Sequence, residues 1–260
     1  MITKQKLIQD LKDLGIQKTD TLLVHSSMKA VGEVEGGADT VLDALMEVVS
    51  DGLLVLPTHS WATMKEDHMI FDPKEEPSCV GILTNLFLKR ENVYRSLHPT
   101  HSVAAYGKDA KEFVQADLIW SDTPCPREGC WGELYDRQAK ILLLGCGLNR
   151  NTYMHGVEEW NHIPERLCEQ TEPMKVKMPD GRIKDRPMRR HYKPDGVSIS
   201  EYYIKMEHIF LTCGVAKKGK VGMADCLICD AKKEADLVTR CLKKNPNVFG
   251  NMEEKVPEIF

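Results

Sequence analysis

The sequence has no apolar run long enough to span a membrane, and its N-terminal segment has no apolar core like that of a signal peptide. It has neither a GxSxG nucleophile elbow nor a P-loop, which disfavours a typical α/β-hydrolase and a P-loop nucleotide-binding protein. The net charge of −4 gives no excess of basic residues for a broad nucleic-acid surface. We therefore expect a cytoplasmic protein with no membrane and no nucleic-acid partner.

Disulfides are also not expected, although the chain has nine cysteines among its 260 residues. An odd number of cysteines without an export signal is typical of free thiols in a reducing compartment. Cys226 and Cys229 form the single CxxC pattern, and no second CxxC completes a zinc site. Because Leu227 and Ile228 separate them, we favour buried cysteines in a strand over a redox pair.

Strand and helix patterns alternate along most of the chain, and together they predict an α/β fold. Apolar strands are predicted over Thr21–His25, Gly52–Leu56, Ser102–Tyr106, Ile141–Leu144 and Val221–Ile228. Helices are predicted over Met1–Ile16, Ala38–Val49, Val80–Leu88, Lys108–Val114, Ser200–Leu211 and Ala231–Lys243. Continuous apolar strands are usually covered on both faces, so we expect a layered α/β/α fold with a central mixed, largely parallel sheet.

Residues 164–197 depart from this pattern, with short alternating runs, many charges and an Asp180-Gly181 turn. Such a segment predicts a β-hairpin. It is too short to hold a core of its own, so we expect an inserted β excursion within a single domain spanning residues 1–260.

Polar residues collect where the predicted strands end, which is where α/β sheets bind ligands. One group is His25-Ser26-Ser27, a second is Pro57 to Trp61, and a third is Ser96 to Ser102. Their serines could hold an anionic ligand or simply cap local turns. Trp61 and Trp131 could line a cleft or pack in the core. The acidic run Met64 to Glu76 is either a solvated loop or a negative rim for a cationic substrate.

The segment Ile141 to Glu159 combines a buried strand, the turn Gly145-Cys146-Gly147, and His155 three residues before Glu158. Side chains three apart on a helix share a face, so Glu158 could orient the imidazole of His155. An oriented imidazole at a strand end is suited to general-base catalysis. The alternative is a histidine on a solvated helix face with an incidental glutamate neighbour.

Taken together, these segments resemble the aminoglycoside N(3)-acetyltransferases, antibiotic acetyltransferases outside the GNAT fold. The matching strings follow the family's order over nearly the whole chain. They are LLVHSSMKAVG (22–32), LLVLPTHSW (53–61), FDP (71–73), RSLHPTHSVAAYG (95–107), DTPC (122–125), ILLLGCGLNRNTYMHGVEE (141–159) and GKVGMADCLICDA (219–231).

The resemblance implies an acyltransferase that moves acetyl directly from acetyl-CoA to the 3-amino group of a 2-deoxystreptamine aminoglycoside or a related amine, with no metal. It makes His155 the general base and Glu158 its orienting partner. The tetrahedral intermediate also needs hydrogen-bond donors at its oxygen, and we expect them from Thr152 and the backbone around it. It implies contacts to CoA from Ser26, Ser27, Thr100, Ser102 and Val103. Asp72 and Trp61 would then lie on the acceptor side. The implied partners are the amine and CoA, with a homodimer as the alternative to a monomer.

Two regions that shape the acceptor site, residues 164–197 and 127–131, differ from the resistance enzymes, so the donor is better defined than the acceptor. Two other functions stay open. One is a metal-dependent hydrolase using His25, His59, His98 and His101, and the other is a CoA-binding relative without drug activity. Cys125 and Cys146 are conceivable acyl-carrying nucleophiles, although neither has a base nearby in the sequence.

Overall fold

The computed structural model describes residues 1–192 and 196–258. Its strands are β1 (Thr21–Ser26), β2 (Leu53–Pro57), β3 (Ile70–Phe71), β4 (Tyr94–Arg95), β5 (Val103–Gly107), β6 (Lys140–Leu144), β7 (Lys175–Lys177), β8 (Ile183–Asp185), β9 (Ala216–Val221) and β10 (Ala224–Asp230). Its α-helices are α1 (Lys4–Asp13), α2 (Met28–Val31), α3 (Gly37–Val48), α4 (Ile82–Phe87), α5 (Ala110–Gln115), α6 (Cys130–Asp136), α7 (Thr152–Trp160), α8 (Glu207–Thr212) and α9 (Ala231–Lys244). Among these described residues, no helix has both the length and the apolar character needed to cross a membrane.

Seven strands form the main sheet in the order β4-β5-β2-β1-β6-β10-β9. The centre is parallel, because β1 pairs in parallel with both β2 and β6. The flanking strands β5 and β10 run antiparallel to their inner neighbours. The predicted mixed α/β sheet is therefore confirmed, with its parallel part confined to the centre.

Each face of the sheet carries its own apolar layer, because successive side chains of a strand point to opposite faces. Leu23 and Ile141 pack with the layer that includes residues of α5, α6, α7 and α9, whereas Leu22 and Leu142 pack with that of α1, α3 and α4. The three-layer α/β/α arrangement follows from this division. The assignment of a single domain to residues 1–260 stays a prediction.

Two predicted elements differ in detail. The strand expected over Val221–Ile228 is a hairpin, in which β9 and β10 meet at a turn containing Gly222 and Met223. Most of β9 is a lysine-rich edge strand with little buried surface, so it gives no apolar signal. The helix expected over Ser200–Leu211 begins as a 3-10 helix, Ile199–Met206, and continues as α8.

The β excursion expected over residues 164–197 is present in its described part, and its hairpin is β7–β8. Residues 193–195 lie outside the described residues. The turn forms where expected, since the Gly181 N–H donates to the Met178 carbonyl oxygen at 2.9 Å. Strand β3 adds in parallel to β7, which makes a second, three-stranded sheet. A small apolar cluster lies against it, formed by Met64, Phe71, Met174, Val176 and Met188. The excursion is thereby packed onto the loops that follow β2.

The cysteines behave as expected for free thiols: all nine are unpaired, and Cys226 and Cys229 are buried in β10.

Candidate active site

The carboxyl ends of the three parallel strands lie at one edge of the main sheet, as the register places Ser26 beside Leu144 and Leu23 beside Val55. Three short segments therefore lie at the ends of neighbouring strands: Ser26-Ser27, Thr58-His59 and Gly145-Cys146-Gly147. This edge is the usual ligand position in α/β sheets.

Gly145 allows the end of β6 to pass close to α2, the helix that follows β1. Its φ is +68°, in the left-handed region, and a Cβ built on it would lie 2.4 Å from the Ala30 Cβ. Beside it opens a groove of about 400 Å³, lined by Ala30, Gly145, Cys146, Gly147, Met223, Ala224 and Asp225. Gly145 and Gly147 thus contribute backbone, rather than side chains, to the groove wall.

His155 lies on α7, which starts just after this turn and carries Glu158 one turn further along. The two side chains are joined through Tyr203, whose hydroxyl donates to Glu158 and lies 2.8 Å from His155 Nδ1. Arg166 forms a buried ion pair with the other carboxylate oxygen of Glu158. The sequence placed His155 and Glu158 on one face, but it gave no signal for Tyr203, which lies 48 positions from His155.

Burial shifts the pKa values of both Glu158 and Tyr203. It raises the pKa of Glu158, while the Arg166 charge and the Tyr203 hydrogen bond oppose that shift. Burial, followed by the neighbouring Glu158, also raises the pKa of Tyr203 well above its usual value. Tyr203 consequently keeps its proton, which is directed at Glu158.

A second imidazole, His191, was missed by sequence analysis. Its ring stacks on that of His155, with ring centres 4.1 Å apart and planes 19° apart. Its Nε2 lies 3.0 Å from a carboxylate oxygen of Glu159, which also accepts from the Cys125 backbone N–H. Because His191 belongs to the β excursion, only the tertiary structure brings it to α7.

Further rings extend inward from this pair. His191 packs edge-on against His101 at 4.9 Å, and His101 lies 4.7 Å from His59. Trp131, one of the two expected cleft aromatics, is fully buried and stacks on His59 at 5.7 Å. Trp131 therefore packs in the core against His59.

Thr152, the expected intermediate-stabilising residue, begins α7 and is half-buried. Its hydroxyl lies 3.1 Å from His59 Nε2. Burial lowers the pKa of His59 well below its usual value, so this ring is neutral.

The residues expected to contact CoA divide into two groups. Ser26 and Ser27 are partly exposed at the end of β1. Thr100, Ser102 and Val103 are fully buried. Their polar atoms serve internal bonds: the Thr100 hydroxyl bonds His101 Nδ1 at 3.0 Å, and the Ser102 hydroxyl donates to the Thr58 carbonyl at 2.8 Å. Thr100, Ser102 and Val103 therefore lie in the protein interior and not on its surface.

On the expected acceptor side, Asp72 pairs with Lys177 of the excursion at 2.7 Å. Trp61 is 42% exposed, and its carbonyl accepts a hydrogen bond from Arg190 at 2.7 Å. Both residues therefore lie where the excursion meets the loops after β2.

Three histidines of the hydrolase alternative, His59, His98 and His101, are hydrogen-bonded to other side chains or to backbone. His25 Nε2 is buried and has no hydrogen-bond partner among the described residues. His98 Nδ1 accepts from the His101 backbone N–H at 3.0 Å, and its Nε2 donates to the Thr123 carbonyl at 2.9 Å. Burial lowers the pKa of His25 to about 3 and that of His98 to about 4. Cys125 and Cys146 are poor nucleophiles without a bound metal, because burial raises the pKa of Cys125 and brings that of Cys146 to about 12.

Fold and site together define an α/β enzyme with a groove at the carboxyl ends of its parallel strands and an oriented imidazole on the helix that follows the glycine turn. The family model described as aminoglycoside 3-N-acetyltransferase matches residues 23–243. The chain belongs to this family, which confirms the resemblance seen in the sequence. Its enzyme class is that of the family.

Among curated relatives, the SPbeta prophage-derived aminoglycoside N(3')-acetyltransferase-like protein YokD of Bacillus subtilis (strain 168) is 26% identical, over 94% of this chain and 93% of its own length. Aminoglycoside N(3)-acetyltransferase VII of Streptomyces paromomycinus is 28% identical, over 90% of this chain and 89% of its own length.

Solved structures agree with this assignment. The crystal structure of the YokD protein from Bacillus subtilis has a TM-score of 0.80 at 26% identity, and the match covers 95% of each chain. A structure of AAC-IIIb in a binary complex with CoASH shares the fold, with a TM-score of 0.80 at 22% identity and 98% of each chain covered.

Proposed function

We propose that the protein transfers acetyl from acetyl-CoA directly to an amine of an aminoglycoside or a related amine, with His155 as the general base. The observation that carries this proposal is the Glu158–Tyr203–His155 arrangement on the helix that follows the glycine turn. Family membership supports the reaction class.

The direction of the hydrogen bonds supports the role of His155. The single hydroxyl hydrogen of Tyr203 is donated to Glu158, so its oxygen accepts from the His155 Nδ1–H. The lone pair of the neutral imidazole is then on Nε2. An acceptor amine is protonated near neutral pH and must lose a proton before it attacks the thioester carbonyl, and Nε2 can take that proton.

We assign the donor to the strand-end groove. Ser26 and Ser27 would offer hydroxyls to the phosphate or pantetheine part of CoA, and Gly145 lets the groove wall be backbone. Thr100, Ser102 and Val103 would act from within the wall by keeping the strand ends in place. The CoASH in the AAC-IIIb structure supports a CoA-binding function for this fold.

Thr152 is our candidate for the oxyanion of the tetrahedral intermediate. Its hydroxyl faces a neutral His59, and a donor aimed at developing charge in a site that excludes water strongly stabilises a transition state.

The acceptor would bind where the excursion meets the loops after β2, next to Trp61 and Asp72. Because Asp72 is paired with Lys177, a cationic acceptor must displace or extend that pair. An aminoglycoside complex supports this acceptor class in the family, since a structure of AAC-VIa is described as bound to sisomicin.

The test is a thiol-release assay with acetyl-CoA against a panel of aminoglycosides and simpler amines, with product mapping by mass spectrometry and NMR. We expect amine-dependent release of one thiol per N-acetyl group formed. Binding of acetyl-CoA without release for any amine would contradict the proposal and would favour a CoA-binding relative without this activity.

A further inference from the structure

Three side chains that can bind a metal meet next to His155, although they come from separate segments. Cys125 lies in the loop before α6, Glu159 on α7 and His191 in the β excursion. The thiol sulfur, a carboxylate oxygen and an imidazole nitrogen all lie within 4.8 Å of one another. The Cys125 side chain is fully buried, and those of Glu159 and His191 are only 5% and 13% exposed.

The positions of these groups are fixed by further contacts. The Cys125 backbone N–H donates to both oxygens of Glu159, at 3.2 and 3.1 Å, and Trp160 Nε1 donates to the Cys125 carbonyl at 2.8 Å. The His191 ring is held between His155 and His101. Supporting contacts of this kind orient the ligands of protein metal sites.

The spacing suits a small cation. Zinc binds nitrogen and oxygen ligands at about 2.0–2.2 Å and sulfur at about 2.3 Å, so its ligand atoms lie roughly 3–4 Å from one another. His191 Nε2 and Glu159 Oε1 are already 3.0 Å apart. Closing the cluster on a zinc ion therefore needs shifts of roughly 1 Å or less, which side-chain rotation can supply.

We propose that Cys125, Glu159 and His191 bind one Zn²⁺ ion. A thiolate, an imidazole and a carboxylate form a mixed, borderline-soft donor set that suits zinc better than magnesium or calcium. Binding exchanges the Cys125 S–H bond for a Zn–S bond and releases that proton to solvent. The His191 proton moves by solvent exchange from Nε2 to Nδ1, so that the Nε2 lone pair binds the ion. Three protein ligands leave a fourth position for water or another small donor.

Zinc at this position would join the β excursion to α7 and to the loop before α6. This site goes beyond the proposed transfer reaction, because His155 is not one of its ligands. The bound ion should raise the midpoint of thermal unfolding, because a ligand that binds the folded state stabilises it.

Cobalt titration of the chelator-treated, full-length protein provides the test, because Co²⁺ reports a thiolate ligand by a charge-transfer band in the near ultraviolet. We expect one equivalent of Co²⁺ to produce that band and one equivalent of Zn²⁺ to abolish it. Cys125→Ser should lose the band, and His191→Asn should weaken zinc binding by at least about 100-fold, more than a supporting contact contributes.

Cys130→Ser is the matched control, since Cys130 is also fully buried but lies outside the cluster, and it should behave like the parent protein. If Cys125→Ser does not fold, His191→Asn and Glu159→Gln still decide the matter, because both side chains are less buried than that of Cys125. A titration without a charge-transfer band, or equal zinc affinity in the parent protein and in His191→Asn, would overturn the proposal. Neither result depends on transferase activity.

Discussion

Single side chains decide how Glu158 acts on His155. The spacing of three residues correctly placed both on one face of a helix, yet the link between them is Tyr203, which reaches α7 from the 3-10 helix Ile199–Met206. No local pattern could reveal that contact, because it depends on how distant segments pack. The same holds for His191, which the excursion delivers.

We expect Tyr203→Phe to lower kcat by roughly 10-fold or more, a part of the about 10²–10⁴-fold that a general base contributes. The phenyl ring keeps the packing against Phe249 but can no longer hold His155 Nδ1. Steady-state kinetics should show the loss mainly in kcat, with KM for acetyl-CoA little changed. The neighbouring Tyr202→Phe serves as the control, and equal kcat values in the two variants would refute the role of Tyr203.

Arg166 is expected to matter for stability, because its pair with Glu158 is buried on both sides. Removing one partner of a buried ion pair costs about 3–5 kcal/mol, since the other charge is left uncompensated. Urea unfolding should show a loss of this size for Arg166→Met and a smaller one for Arg166→Met combined with Glu158→Gln. An Arg166→Met variant as stable as the parent protein would show that the pair is not intact in solution.

At the scale of elements, the start of α7 depends on a polar contact with α9. Asn151 immediately precedes α7, and its side-chain amide donates to Glu234 of α9 at 2.7 Å. Burial raises the pKa of Glu234 to about 8. The sequence predicted α9 well from its apolar spacing, but a buried glutamate in that helix is visible only once α7 packs on it.

Glu234 should make stability depend on pH. The folded state holds the proton more tightly than the unfolded chain, whose carboxyl has its ordinary value of 4.5. Unfolding therefore releases a proton between about pH 4.5 and 8, and the free energy of unfolding falls as pH rises, by at most about 1.4 kcal/mol per unit. Urea unfolding of Glu234→Gln should show a smaller slope, because only a contribution from Glu158, whose pKa is also raised, would remain. Asp236→Asn on the same helix should keep the full slope, and an undiminished slope in Glu234→Gln would assign it to another group.

The turn after β6 offers a matched pair of substitutions. Gly145→Ala would place a Cβ at positive φ and 2.4 Å from Ala30, whereas the nearest neighbour of a Cβ at Gly147 is the Asn149 side chain at 3.3 Å. We expect Gly145→Ala to cost about 1–3 kcal/mol and to weaken CoA binding. Calorimetric titration with CoA should show Gly147→Ala closer to the parent protein. The opposite ranking would contradict the assigned groove wall.

At the scale of the whole molecule, the order of apolar strands and helices was enough to predict the layered α/β fold. It could not separate the parallel centre from the antiparallel flanks, because buried strands of either kind read as apolar runs. The excursion was recognised as a hairpin from Asp180-Gly181. The function of the excursion in the site could not be predicted from the sequence, because its contacts arise only on folding. Arg166 and His191 contact α7, and Lys177 contacts Asp72, which follows β3.

The central claim is that His155 removes the proton from the acceptor amine, and a single-turnover comparison of His155→Ala with the parent protein tests it most directly. With acetyl-CoA bound and a productive amine added, we expect the acetyl-transfer rate of His155→Ala to fall about 10²–10⁴-fold. Its affinity for CoA should stay within a few-fold of the parent value, and the exposed His208→Gln should transfer normally. A near-parental transfer rate in His155→Ala would contradict the account.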